Sequence, residues 1–143
     1  MKVIPVKAAA GISGFESPAA EYKELGLSLD QLIVGDPNAT FLGLASGDSM
    51  QGVGIFDGDL LIVDRAAEPK HQDVIVANFN NEFVCKILDI HNRRLLSASP
   101  VFKPVFISDC DVFQLEGIVT GSLRMHRQNM TITDKYWFKQ CMR

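Results

Sequence analysis

Two apolar runs separated only by Asn80-Asn81 constrain this 143-residue chain more than any other stretch. Val74-Ile75-Val76-Ala77-Asn78-Phe79 and Glu82-Phe83-Val84-Cys85-Lys86-Ile87-Leu88 are rich in the β-branched and aromatic residues that suit a pleated surface. A two-residue Asn-Asn link tolerates positive φ, so the pair reads as a tight β-hairpin. Such a loop sets the register, with Phe79 facing Glu82 and Ile75 facing Lys86. Alternation then puts Phe83, Cys85 and Ile87 on one face and Val84, Lys86 and Leu88 on the other. Both faces are apolar, so Lys86 sits between Val84 and Leu88 with little water. Burial disfavours an ammonium and lowers a lysine pKa, and a neutral amine can take a proton from a hydroxyl. An edge-strand lysine whose stem lies on the sheet while its amine snorkels to solvent fits the same pattern.

The rest of the chain is read around that hairpin. Residues 1 to about 16 lack a periodic apolar pattern and read as a mobile arm, unable to bury enough surface to offset its ordering entropy. Ser17-Pro18 has the composition of a helix start, with Ser17 as N-cap, and Gly26 would end that helix. Leu29–Val34 is a short apolar piece of one or two helical turns, followed by a turn at Asp36-Pro37-Asn38. Strands are expected at Thr40–Ala45, Leu60–Val63, Arg94–Ala98, Val112–Leu115 and Gly117–Leu123. Ser99-Pro100 and Lys103-Pro104 punctuate a loop. The fold class is mainly β, with helix only near the front.

Composition narrows the function. Hydrophobic residues at 47% and charged residues at 22% are those of a soluble globular chain long enough for one real core. A net charge of −3 argues against a duplex-binding protein, which needs a basic face. Cys85, Cys110 and Cys141 are odd in number and unpaired in spacing, which fits a reducing cytosol. His71, His91 and His126 are scattered, so no metal site is expected. No Gly-rich phosphate loop is present, and no cofactor is expected. The start is too short in apolar residues, and too broken by Pro5 and Lys7, for a signal peptide. No run approaches a membrane span.

Ala45-Ser46-Gly47-Asp48-Ser49-Met50 lies between two of the expected strands. Gly47 and Asp48 are turn formers, so the segment is a bend entered from a strand, with Ser49 pointing away from the sheet. A serine becomes a nucleophile only beside a base, and Lys86 is the nearest candidate. Ser-Gly-Asp-Ser is also ordinary turn composition with no chemistry implied. The aspartates Asp48, Asp57, Asp59 and Asp64 match no calcium loop.

These segments together carry a resemblance. Ala45–Met50, Asp57-Gly58-Asp59-Leu60-Leu61-Ile62-Val63-Asp64, the strand Glu82–Lys86, and Gly14-Phe15-Glu16-Ser17-Pro18-Ala19-Ala20-Glu21-Tyr22 fall in order. They resemble the S24 family of self-cleaving serine peptidases, which includes LexA, phage repressors and UmuD. Gly117-Ile118-Val119 resembles the family's last strand, and the match covers about residues 13 to 125. The resemblance implies a LexA/UmuD-like peptidase fold of twisted antiparallel sheets with a flexible N-terminal arm. It divides the chain into an arm and linker at 1–28, a Ser-Lys peptidase domain at 29–125 and an extension at 126–143. It implies Ser49 as nucleophile and Lys86 as base, with backbone support for an oxyanion at Asp48 and Met50. It places the cut between Ser13 and Gly14.

Only 13 residues precede Gly14, too few for the DNA-binding domain of LexA and the phage repressors, so the UmuD-like branch is the expected one. That branch implies a cytoplasmic homodimer that binds an activated RecA filament, cuts its own arm, and then joins a UmuC-type Y-family DNA polymerase for translesion synthesis. Neither sequence-specific nucleic-acid binding nor a membrane is implied. Three departures stand out: Ser13 replaces the usual Cys or Ala before the cut, the arm is shorter than usual, and Asn129–Arg143, with Tyr136-Trp137-Phe138, extends past the usual end. Competing readings are an uncut structural binding module with an inert Ser49, and a signal-peptidase-like enzyme acting in trans. A DNA-binding repressor is disfavoured by charge and by the missing domain.

Overall fold

The computed structural model describes residues 28 to 127. The expected arm, its Ser17-capped helix, the Ser13-Gly14 bond, Cys141 and the Tyr136-Trp137-Phe138 tail lie outside the described residues. Within them the elements are α1 (Leu29–Ile33), β1 (Thr40–Leu44), a 3-10 turn Gln51–Val53, β2 (Leu60–Asp64), β3 (Val74–Phe79), β4 (Glu82–Asp89), β5 (Arg94–Leu96), β6 (Val105–Phe106) and β7 (Phe113–Leu123). The strands form one seven-stranded sheet in the order β1-β2-β7-β3-β4-β5-β6, with each neighbouring pair antiparallel. No helix among the described residues is long and apolar enough to cross a membrane.

The β3–β4 hairpin has the expected register, Phe79 opposite Glu82 and Ile75 opposite Lys86. Asn80 and Asn81 take φ values of 50° and 69°, the left-handed pair that a two-residue hairpin turn requires and that asparagine tolerates. The register puts different residues on the two faces of the sheet, and each face carries its own core. One core holds Ala45, Met50, Ile55, Leu61 and Val63, with Val74, Val76, Cys85 and Ile87 packed against it. The other holds Ile75, Ala77, Leu88, Leu95 and Ile118, with Val84 against it.

Three local expectations change. Val112–Leu115 and Gly117–Leu123 are not two strands but one, β7, lodged between β2 and β3. The break read at Glu116 is a bulge: Val76 pairs with Gly117 and Ala77 with Leu115, so Glu116 is the extra residue. Its carboxylate meets Arg65 at 3.2 Å. Thr120 is a second extra residue, between the Ile62–Gly121 and Val63–Val119 pairs, and its hydroxyl donates to the Ile62 carbonyl at 3.3 Å. Bulges bend the strand and increase its twist. The loop read at Ser99–Pro104 leads into β6, a two-residue strand that pairs with β5. Arg94–Ala98 shortens to Arg94–Leu96. Helix α1 falls within the expected Leu29–Val34, and its capping box is made by Ser28 and Gln31, a signal the sequence reading assigned no role.

At Gly117 β7 passes close to β2. A β-carbon there would meet Val63 Cγ1 at 2.7 Å and the Asp64 carbonyl oxygen at 2.8 Å. Gly117→Ala is expected to destabilise the fold by ~1–3 kcal/mol, the usual cost of overpacking a close-packed interior. The check is the midpoint of urea unfolding, and a midpoint equal to the parent's would show that β2 and β7 separate freely at this point.

Candidate active site

β1 delivers the chain to a bend that is pinned at both ends. Ala45 donates to the Asp59 carbonyl at 2.8 Å and accepts from the Gly58 N–H at 2.9 Å. Gly47 sits at φ +87°, where only glycine is unstrained, and its N–H donates to Asp57 Oδ1 at 2.7 Å. Met50 and Ile55 are 4% and 6% exposed and anchor the far side in the core. Gly52 donates its N–H to the Ala98 carbonyl at 2.7 Å, and a β-carbon at Gly52 would come within 2.5 Å of that oxygen.

The second turn is held by charge. Asp59 is 1% exposed, and both its carboxylate oxygens accept from Arg124, each at 2.7 Å. The Phe56 N–H also donates to it, at 2.8 Å. The hydrogen bond from Arg124 holds the Asp59 carboxyl below its ordinary pKa, against the opposing effect of burial. Arg124 also donates to the Gly54 carbonyl at 2.9 Å and lies 4.1 Å over the Phe56 ring.

This frame sets Ser49, half-buried, beside β4. Lys86 Nζ donates to Ser49 Oγ at 2.8 Å and to Ser97 Oγ at 3.0 Å. The Phe102 ring centroid lies 5.5 Å from the same nitrogen. Burial pushes the Lys86 amine below its ordinary pKa, with neighbouring Cys85 opposing. Burial also pushes the Cys85 thiol up to about 11, with Lys86 opposing, so that thiol is neutral around neutral pH. A hydroxyl and a partly desolvated amine at this distance can exchange a proton, which is what an activated serine requires.

The sequence-predicted residues are placed as follows. Ser49 and Lys86 meet. Met50 is buried beside Ser49 and works as an anchor, while Asp48 is exposed and its carbonyl accepts from the Gln51 N–H at 3.5 Å. The N–H groups of Ser49 and Met50 bond no acceptor among the described residues. Ser13 and Gly14 lie outside those residues. Ser97 was missed, although a register argument reaches it. Ile87 pairs with Leu96, so continuing β5 by one residue puts Ser97 opposite Lys86. Two of the histidines read as scattered lie side by side, His71 and His91, with ring centroids 4.2 Å apart and the rings tilted by 49°. Among the described residues no group of three or more His, Cys, Asp or Glu is placed to hold a metal ion.

Beside Ser49 runs a cleft between the bend and β4, with Ala45, Gly47, Met50, Phe83 and Cys85 on its walls. β5 pairs with β4 only over Ile87–Asp89, so no strand among the described residues covers that side of Glu82–Lys86. Phe83 on this stretch is 72% exposed.

Comparison with known proteins bears on this geometry. A family model described as Peptidase S24-like matches residues 2–120. Protein ImpA of Salmonella typhimurium is 39% identical over 119 residues, covering 81% of this chain and 80% of ImpA. Protein MucA of Escherichia coli is 39% identical over 116 residues, 80% of each chain. The LexA repressor of Syntrophotalea carbinolica is 39% identical over 89 residues, 61% of this chain and 44% of the repressor. The family match runs through the bend that carries Ser49, the strand that carries Lys86 and most of β7, and the chain belongs to the S24-like peptidase family.

Proposed function

We propose that this chain is a self-cleaving serine peptidase of the UmuD-like kind, an accessory subunit of an error-prone SOS DNA polymerase. The observation that carries the reading is the 2.8 Å contact between Lys86 Nζ and Ser49 Oγ. The arm would lie extended in the cleft, along the uncovered side of Glu82–Cys85, pairing with a free strand edge. Residues 15–27, fully extended at ~3.3–3.6 Å each, would bridge ~45 Å between Gly14 and Ser28.

The chemistry follows from the groups present. Neutral Lys86 takes the Ser49 hydroxyl proton as Oγ bonds the Ser13 carbonyl carbon. The carbonyl π pair moves to oxygen, and the N–H groups of Ser49 and Met50 are positioned in sequence to donate to it. The oxyanion collapses, the C–N bond breaks, and the Gly14 nitrogen leaves with the proton from the Lys86 ammonium. Water, deprotonated by the same amine, then hydrolyses the Ser13 ester. Small residues on both sides of the bond, Ser13 and Gly14, let the backbone approach the hydroxyl. In this reading an activated RecA filament stimulates the cut, and the shortened homodimer joins a UmuC-type Y-family polymerase in the cytoplasm.

Ser49→Ala is expected to slow arm loss roughly 10³-fold or more while leaving thermal unfolding near the parent's. Intact-mass measurement over time checks this, and an Ala variant that sheds residues 1–13 at the parent rate would remove Ser49 as nucleophile. The product should begin Gly-Phe-Glu-Ser-Pro on N-terminal sequencing, and Gly14→Glu should block it.

The pH dependence has a definite sign. The base is the neutral amine, so cleavage should quicken as pH rises. Burial lowers the Lys86 pKa, so the rate should level off below the ~10.4 of a free lysine. A rate that does not vary between neutral and alkaline pH would exclude Lys86 as the base.

A further inference from the structure

The Lys86 amine has more hydrogen-bonding capacity than Ser49 alone uses. As an ammonium it has three N–H donors. As the neutral amine it has two N–H bonds and one lone pair. To take the Ser49 proton, the lone pair must face Ser49 Oγ, and both N–H bonds must point elsewhere. Rotation about the terminal C–N bond otherwise costs little, so something must select that orientation.

Ser97 is placed to do so. Its Oγ lies 3.0 Å from Lys86 Nζ, on a different element from Ser49. The residue is half-buried and stands opposite Lys86 in the continued β4–β5 register. The next residue, Ala98, accepts the Gly52 N–H at 2.7 Å. A single backbone hydrogen bond therefore ties the segment carrying Ser97 to the turn that follows Ser49, so the two hydroxyls keep their spacing on either side of the amine. We propose that Ser97 is a positioning residue whose hydroxyl oxygen accepts an N–H from neutral Lys86 and thereby aims the amine lone pair at the Ser49 hydroxyl. This rests on Lys86 being the base for Ser49. After proton transfer the same oxygen accepts from the ammonium, a stronger charge-assisted bond, so Ser97 also favours the charged form.

The ionisable residues on the surrounding elements are few. β4 carries Cys85 beside Lys86 and Glu82 and Asp89 at its two ends, Asp48 lies on the bend, Arg94 on β5 and Lys103 beside Phe102, while β3 carries none. Among the described residues no carboxylate forms an ion pair with Lys86. Neutral hydroxyls are its hydrogen-bond partners, and removing one has an effect that can be read directly.

The test is the pH–rate profile of self-cleavage in the full chain, for the parent, Ser97→Ala, Ser97→Thr and Lys86→Ala. Ser97→Ala should lower the alkaline plateau roughly tenfold, a part of the ~10²–10⁴-fold that a positioned base supplies. It should also move the midpoint to lower pH, because the ammonium loses an acceptor. Ser97→Thr, which keeps the hydroxyl, should restore both. A packing role would lower the plateau without moving the midpoint. If the Ala variant unfolds, Ser97→Cys, near in size and a poor acceptor, carries the same expectation. ¹³Cε NMR titration of Lys86 in a Ser49→Ala background reads the same shift with no cleavage needed. Ser97→Ala matching the parent in plateau and midpoint, while Lys86→Ala is inactive, would overturn the role of Ser97 and leave the base assignment standing. Lys86→Ala cutting at the parent rate would instead overturn the base assignment and the role of Ser97 together.

Discussion

An amine held partly out of water between two hydroxyls is the arrangement on which the rest of this molecule depends. Desolvation alone would make Lys86 a cost to the fold, because the charged form loses its hydration. A carboxylate beside it would relieve that cost, but would also hold the lysine protonated, against its proposed role as a base. The protein avoids this by committing its buried carboxylates elsewhere. Asp59 is bound by both nitrogens that Arg124 offers it. Asp89, also 1% exposed, accepts from Asn92 and Arg94, which hold its carboxyl at about 2. The cysteine beside Lys86 is buried enough to stay a thiol. The amine is left with neutral partners, and its charge is free to change.

The scaffold then has to hold two hydroxyls still without an ion pair to the lysine, and it does so through the backbone groups of the bend, one of them bound by a carboxylate. The bend that carries Ser49 is fastened at Ala45, Gly47 and Gly52 by main-chain groups, and its buried side chains are Met50 and Ile55. These contacts are short-range and directional, so the position of Ser49 depends on turn geometry. Gly47 and Gly52 are places where a side chain would disturb it, one through its positive φ and the other through contact with Ala98.

How much of this was legible in the sequence depended on how local the cause was. The β3–β4 hairpin and its register followed from Asn80-Asn81, because a two-residue turn leaves one pairing. The bend at Ser49 followed from Gly47 and Asp48, and the family resemblance from motifs along the chain. β7 read as two strands because Glu116, a charged residue in mid-strand, looks like a break. It is tolerated there because a bulge removes it from the ladder and Arg65 meets its carboxylate. β6 was hidden because two residues after Pro104 carry no alternation to detect. Ser97 was missed because its partner is chosen by pairing across strands, and no spacing along the chain announces it.

β7 is the last strand of the sheet in sequence and an interior one in space, lodged between β2 and β3. The sheet joins the β1–β2 pair, beside the Ser49 bend, to the β3–β4–β5–β6 meander, which carries Lys86, only through β7. A chain still emerging from the ribosome, at ~5–20 residues per second, holds Ser49 and Lys86 long before it holds Phe113–Leu123. During that interval the two halves have no shared strand to fix their relative placement. Under the proposed chemistry, the order of synthesis therefore works as a timer. The site has no strand joining its two halves until Phe113–Leu123 has been made, and the arm, made before it, is shielded from cleavage until then.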